Sequence, residues 1–140
     1  MLKSSHEYFL QRREPICTAV LLLGLLVCLL SFFPPSLLWR DTLTVGGDTP
    51  AHNYLASHLR DQLFQHGRLV SWAGGWWAGF PMFQFYFPLP YLLTALLDGV
   101  LPFNVAFKLV TVLGTLLLPL CAWAAGRRLR LPHPAPLFLA

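Results

Sequence analysis

Residues 16–33 read ICTAVLLLGLLVCLLSFF, eighteen consecutive positions without a charge. As an α-helix rising 1.5 Å per residue this run extends about 27 Å, close to the ~30 Å hydrocarbon core of a bilayer. Pro15 stands just before it, where a first helical turn tolerates proline. Pro34 and Pro35 follow, where a cleaved secretory leader would carry small residues. A retained first transmembrane helix over 16–33 is therefore expected. The polar segment 1–15 carries Lys3, Arg12 and Arg13, and basic residues beside a first span favour a cytoplasmic N-terminus.

Composition agrees with that start. Of 140 residues, 56% are hydrophobic and only 11% charged, and the mean hydropathy is +0.56. Soluble domains carry about a quarter charged residues, so this chain could not cover a water-facing surface. Ten Lys and Arg against six Asp and Glu leave a net charge of +4. The basic residues form no continuous stripe, which speaks against nucleic-acid binding and for helix-flanking anchors. Cys17, Cys28 and Cys121 lie in apolar runs without metal-type spacing and read as small hydrophobes.

Outward from the first span, residues 34–82 form the main polar segment, expected outside the cytoplasm. Gly46-Gly47-Asp48-Thr49-Pro50 reads as a turn feeding a helix. Leu55, Leu59 and Leu63 recur every fourth residue and Ala56 widens their stripe, which predicts an amphipathic helix over 50–66 that Gly67 ends. That helix is too polar to span and suits the membrane interface. Trp72, Trp76, Trp77, Tyr86 and Tyr91 then crowd the entry to a second membrane segment, 83–101, an aromatic belt of the kind that sits at headgroup level. Pro81, Pro88 and Pro90 punctuate this segment, which either spans or re-enters. Residues 105–125 are a third apolar run, with Lys108 able to snorkel near its start and Pro119 inside it. Arg127, Arg128 and Arg130 close it, and 126–140 reads as the opening of a further helix, as if a longer protein continued beyond it. The expected fold is an all-α polytopic membrane protein with two or three transmembrane helices and an interfacial amphipathic helix in the first extracytoplasmic loop.

Candidate chemistry centres on Asp48. At a helix N-terminus its carboxylate is held ionised by the helix dipole. It can cap the helix, bind a divalent metal or hydrogen-bond a hydroxyl. His52 lies four residues on and can share its face. Arg60 and Arg68 are suited to phosphate, which a guanidinium matches in geometry. His58 falls on a different face from His52, so His52, His58 and His66 read as surface histidines rather than a metal cluster. Asp41 beside Arg40 reads as a local ion pair, and Asp98 as a helix terminator.

The stretch from Gly46 to Leu97 resembles the first outside loop and second helix of GT-C-type membrane glycosyltransferases, closest to the bacterial membrane proteins labelled pyruvoyl-tetrahydropterin-synthase-related. The matching residues are Asp48-x-x-x-His52, His66-Gly67-Arg68, Trp72, Gly79-Phe80-Pro81 and the run Tyr86-Phe87-Pro88-Leu89-Pro90-Tyr91. The following AFKLVTVLGTLLLPLCAWAAGRRL, 106–129, is similar to the next helix of the same proteins. The resemblance implies transfer of a sugar from a polyprenyl-phosphate carrier to an extracytoplasmic acceptor, with no nucleotide-sugar domain. It implies a catalytic role for Asp48, alone or with a divalent metal, and no pterin chemistry. The second acid common in other GT-C families has no counterpart beside Asp48, where Thr49 follows. On this basis the chain is expected to be the N-terminal part of a multi-pass enzyme of the inner (plasma) membrane. Its expected partners are membrane lipid, a polyprenyl-phosphate-linked sugar, and the remaining helices of a longer chain or a membrane partner. Substrate contacts are expected from His52, Arg60 and Arg68. The alternative is a small non-catalytic membrane subunit or interaction protein. A transporter would place acids or bases within its spans, and these are nearly bare.

Overall fold

A computed structural model describes residues 5–140, with side chains from Pro15 onward. Lys3 and the side chains of Arg12 and Arg13 lie outside that description. In chain order the elements are α1 (Ser5–Phe32), α2 (Pro35–Leu38), α3 (Thr49–His66), β1 (Ser71–Ala73), β2 (Phe80–Met82), α4 (Leu89–Leu97), α5 (Phe103–Arg128) and α6 (Ala135–Phe138). The described residues are mostly helical, and among them two helices are long and apolar enough to cross a membrane: α1 over Pro15–Phe32, and α5.

Two sequence expectations need correction. First, α1 starts at Ser5, so Pro15 sits inside the helix rather than opening it. Proline withholds one N–H from the carbonyl four residues earlier. The residues before it include Glu7, Leu10, Gln11, Arg12, Arg13 and Glu14, most of them good helix formers that carry the helix through that gap. Second, the chain is not wholly α-helical. β1 and β2 pair antiparallel, Ser71 with Met82, Trp72 with Pro81 and Ala73 with Phe80. Strands of three residues are too short to show an alternating pattern, and Pro81 is tolerated because a two-stranded ribbon has only edges. α5 runs on to Arg128, and the chain turns back so that the four-residue α6 lies against it. A Cβ on Gly126 would meet Pro136 at 3.0 Å, so the missing side chain is what lets the two backbones approach.

The second apolar segment forms only the nine-residue α4. At 1.5 Å per residue that is about 14 Å, half a hydrocarbon core.

The described chain divides into two compact units, Ser36–Val112 and the remainder, residues up to Pro35 with Leu113–Ala140. In the first unit, the leucine stripe of α3 is fully enclosed: Leu55, Ala56 and Leu59 have no exposed surface. They pack with α4, whose Tyr91, Thr94 and Ala95 are buried, and with Ala73, Met82 and Phe83 of the hairpin region and Phe107 of α5. Burying each leucine stabilises by about 1.5–3 kcal/mol. Gly67 ends α3 in the left-handed conformation at φ 63°, its N–H donating to the Leu63 carbonyl at 3.0 Å, as read from the sequence.

Lys108 behaves differently from a snorkelling lysine. Only 6% exposed, it turns its ammonium to the backbone, donating to the Leu37 carbonyl at 2.7 Å and to the Arg40 carbonyl. Leu37 lies in the four-residue α2, and the Arg40 carbonyl, which also accepts the Thr42 N–H at 2.8 Å, has a second lone pair, so an ammonium with three donors can reach both carbonyls at once. Asn104 adds a second tie, its Nδ2 donating to Asp41 Oδ1 at 2.9 Å.

In the second unit α1 is almost bare, with 6% of its apolar window buried and Ile16, Val20 and Leu23 all exposed. Pro15 and Thr18 near the start of that window, and Trp123 and Arg127 near the end of α5, line one cavity. The basic ends of the two long helices therefore lie together.

Replacing Lys108 by Met keeps its length and removes the donors, stranding the Leu37 carbonyl and leaving the Arg40 carbonyl with the Thr42 N–H alone. The expected loss is about 1–3 kcal/mol, seen as a lower Tm with faster proteolysis between residues 39 and 48. Lys108→Arg should retain most of the stability. Equal stability of the Met variant would show that water satisfies those carbonyls.

Candidate functional site

The first two turns of α3 bring together the residues singled out above. Gly46 and Gly47, at φ 117° and 50°, supply the left-handed turn that leads into the helix, a conformation that side chains disfavour. The Thr49 N–H donates to the Gly46 carbonyl at 3.1 Å and the His52 N–H to the Asp48 carbonyl at 3.1 Å. Asp48 thus occupies the cap position through its backbone alone. Its carboxylate makes no capping hydrogen bond and is exposed. Of the readings left open for Asp48, the side-chain cap is excluded by this geometry. An ionisable group stands free at the positive end of an eighteen-residue helix.

One turn further, His52 is half-buried and fixed from α4. Its Nδ1 lies 2.7 Å from the Tyr91 hydroxyl, with the two rings stacked at 6.1 Å between centroids. That contact occupies one ring nitrogen and leaves Nε2 for a ligand. Tyr91 itself is buried, tilted against Phe83 at 5.3 Å. Beside His52, Asn53 Nδ2 is buried without a hydrogen-bond partner.

Sequence inspection missed Tyr91 as a site residue, reading it as part of the aromatic belt. Its place at the end of the Tyr86–Tyr91 run was the available signal; only the packing of α4 on α3 carries it to His52.

Arg60 and Arg68 are not part of this cluster. Arg60 is three turns beyond Asp48, about 18 Å along the axis, and its guanidinium is already engaged. It donates to Asp61 at 2.8–2.9 Å, faces Asp98 at 3.4 Å and lies over the Phe103 ring at 4.8 Å. The hydrogen bond to Asp61 leads the effects that push its pKa further up. Asp98, read as a helix terminator, is thus also the α4 partner of α3. Arg68 lies beyond Gly67 and is exposed.

A second face of α3 supports the hairpin. His58 Nε2 is 2.8 Å from Ser71 Oγ, and Tyr54 stacks between His58 and Trp76 at 5.9 and 6.1 Å. Gly75 is required under Tyr54, because a Cβ there would sit 2.7 Å from its hydroxyl. Gly79, at φ 100°, lies against the Trp72 indole, where a Cβ would come within 2.5 Å. Within the Gly79-Phe80-Pro81 step, Gly79 is thus required by the Trp72 indole packed against it. Among the described residues no three His, Cys, Asp or Glu converge on a metal-binding point. A cation at Asp48 would complete its shell with ligand oxygens and water, as Mg²⁺ commonly does.

Compared with protein-family models, curated proteins and solved structures, the chain matches none of them.

Burial pushes the His58 pKa down, partly offset by Asp61. The unfolded chain then takes up the His58 proton first, at about 6.5. This contribution to stability is therefore present above that pH and lost as pH falls through the folded value. Thermal unfolding between pH 7.5 and 5 should show Tm dropping with acid, and His58→Gln should flatten the slope. An unchanged slope would place the acid sensitivity elsewhere.

Proposed function

We propose that this chain is part of a GT-C-like membrane glycosyltransferase, with Asp48 at the reaction centre and His52 beside it, acting outside the cytoplasm on a polyprenyl-phosphate-linked sugar. The observation that carries the reading is the meeting of separate pieces of the resemblance at one point. Asp48 has a free carboxylate, His52 is one turn away, and the Tyr91 hydroxyl holds His52 at 2.7 Å. A structural cap would consume the carboxylate, and the Tyr91 contact sets the His52 ring while leaving Nε2 unengaged.

In this reaction the acceptor hydroxyl oxygen attacks the anomeric carbon. The bond from that carbon to the phosphate oxygen breaks, and its electron pair leaves with the lipid phosphate. Asp48 accepts the hydroxyl proton, or holds the hydroxyl as the oxygen becomes nucleophilic. His52, oriented by Tyr91, presents Nε2 to the same ligand. Orientation is the larger contribution expected of such a site, since an aligned pair reacts as one molecule. A divalent cation bound through Asp48 would add charge neutralisation at the phosphate.

A two-span topology fits the short α4. With the basic ends of α1 and α5 together, Arg12 and Arg13 share a side with Arg127, Arg128 and Arg130, which satisfies the positive-inside rule when that side is cytoplasmic. The segment between the two spans, including Asp48, then lies outside, in a multi-pass protein of the plasma membrane.

Asp48→Asn should reduce sugar transfer from a polyprenyl-phosphate donor by about 10²–10⁴-fold, measured in membranes with the longest natural form of the chain. Folding should be unaffected, because the carboxylate makes no internal hydrogen bond. Full retained transfer would remove Asp48 from the chemistry. For topology, in a background lacking Cys17, Cys28 and Cys121, Gly74→Cys should react with an impermeant thiol reagent in intact cells and Leu129→Cys only after lysis. The reverse pattern would invert the protein and exclude an extracytoplasmic Asp48.

A further inference from the structure

The positive charge of this chain is confined to one of its two units. Ser36–Val112 balances Arg40, Arg60, Arg68 and Lys108 against Asp41, Asp48, Asp61 and Asp98. The remainder sets Lys3, Arg12, Arg13, Arg127, Arg128 and Arg130 against Glu7 and Glu14 alone. The whole net charge of +4 thus belongs to the unit that also holds bare α1, and no acid follows Asp98 in the sequence.

Within that unit lies a cavity of about 460 Å³. One wall is apolar, made by Ala19 and Leu22 of α1 with Thr18 beside them. The opposite wall is Trp123 and Arg127 from the last turns of α5, and His133 closes it from the returning segment. A guanidinium, an imidazole and an indole therefore border a space whose other side is hydrocarbon. Guanidinium and imidazole donate to phosphate oxygens. On the same stretch of α1 that lines the cavity, Ile16, Val20 and Leu23 are exposed, a surface that water wets poorly and an acyl chain covers well. In a spanning helix these side chains face acyl chains, so the cavity lies beside lipid.

We propose that this cavity seats one anionic diacyl phospholipid, with its phosphate on Arg127 and His133 and an acyl chain along Leu22, Ala19 and Trp123. A basic pocket between apolar helices at their positively charged ends is where a headgroup of this class is recognised. The bound lipid supplies the surface that α1 lacks from the protein and ties α1 to α5. The site uses none of Asp48, His52 or Tyr91, so it stands or falls independently of the sugar-transfer reading.

The test uses full-chain protein in neutral detergent, measuring Tm and, by native mass spectrometry, lipid retention with phosphatidylglycerol, phosphatidylcholine or inorganic phosphate. Phosphatidylglycerol should raise Tm and remain bound; phosphatidylcholine and inorganic phosphate should do neither. Arg127→Gln should weaken retention about tenfold, the loss of one charge-assisted contact. Arg128→Gln, which removes an equal charge outside the cavity, should retain the lipid. Arg127→Lys, which keeps the charge but not the fork, should fall between them and guards against misfolding of the Gln variant. Equal weakening by Arg127→Gln and Arg128→Gln would show diffuse charge attraction and overturn the site. Equal stabilisation by both lipids would overturn headgroup recognition, and stabilisation by inorganic phosphate would replace the lipid with a soluble anion.

Discussion

The enclosure of Leu55, Ala56 and Leu59 between α3 and α4 is the contact on which the Ser36–Val112 unit depends. A polar helix of eighteen residues and an apolar one of nine are each too weak to stand alone. Joined, they create a surface on which the three-residue hairpin strands pack, with Ala73, Met82 and Phe83 buried in the same cluster. The chemistry follows from the same seam. Tyr91 is buried by it and its hydroxyl is thereby aimed at His52, while Arg60 and Asp98 close its far end. One row of apolar side chains sets the positions of both the aromatic supports and the polar groups.

Periodicity made part of this architecture legible. The uncharged run after Pro15 and the four-residue spacing of Leu55, Leu59 and Leu63 each report a helix directly, and Gly67 marks an end that any side chain would strain. The hairpin was not legible, since three residues cannot display a two-residue period, and the Trp-rich composition around it suggested headgroup contact instead. Nor was the destination of Lys108. Its sequence context, a lone cation near the start of an apolar helix, is the same for a lysine reaching out to water and for one reaching back to carbonyls. Which occurs depends on an irregular segment far away in the chain.

The candidate site shows the same division. Asp48 and His52 are four residues apart and their proximity needs only a helix. Tyr91 is distant in sequence, and its contact with His52 exists only once α4 is packed. For Arg60 the residue type suggested phosphate, but Asp61 and Asp98 reach it first. A side chain competent for a ligand serves the fold when a carboxylate of its own chain lies nearer. Asp48 is distinctive because its backbone performs the capping and leaves the carboxylate without an internal task.

The two carbonyls held by Lys108 lie 71 and 68 residues earlier in the chain. During synthesis, at about 5–20 residues per second, the segment leaving α1 therefore waits several seconds for the ammonium that pins it. Through that interval its backbone remains dependent on water, which keeps it out of any apolar phase. The lysine thus acts as a late latch: the stretch carrying Asp41 and leading to Asp48 takes its final path only after the start of α5 has been made, so assembly of this region runs from the later helix back to the earlier loop.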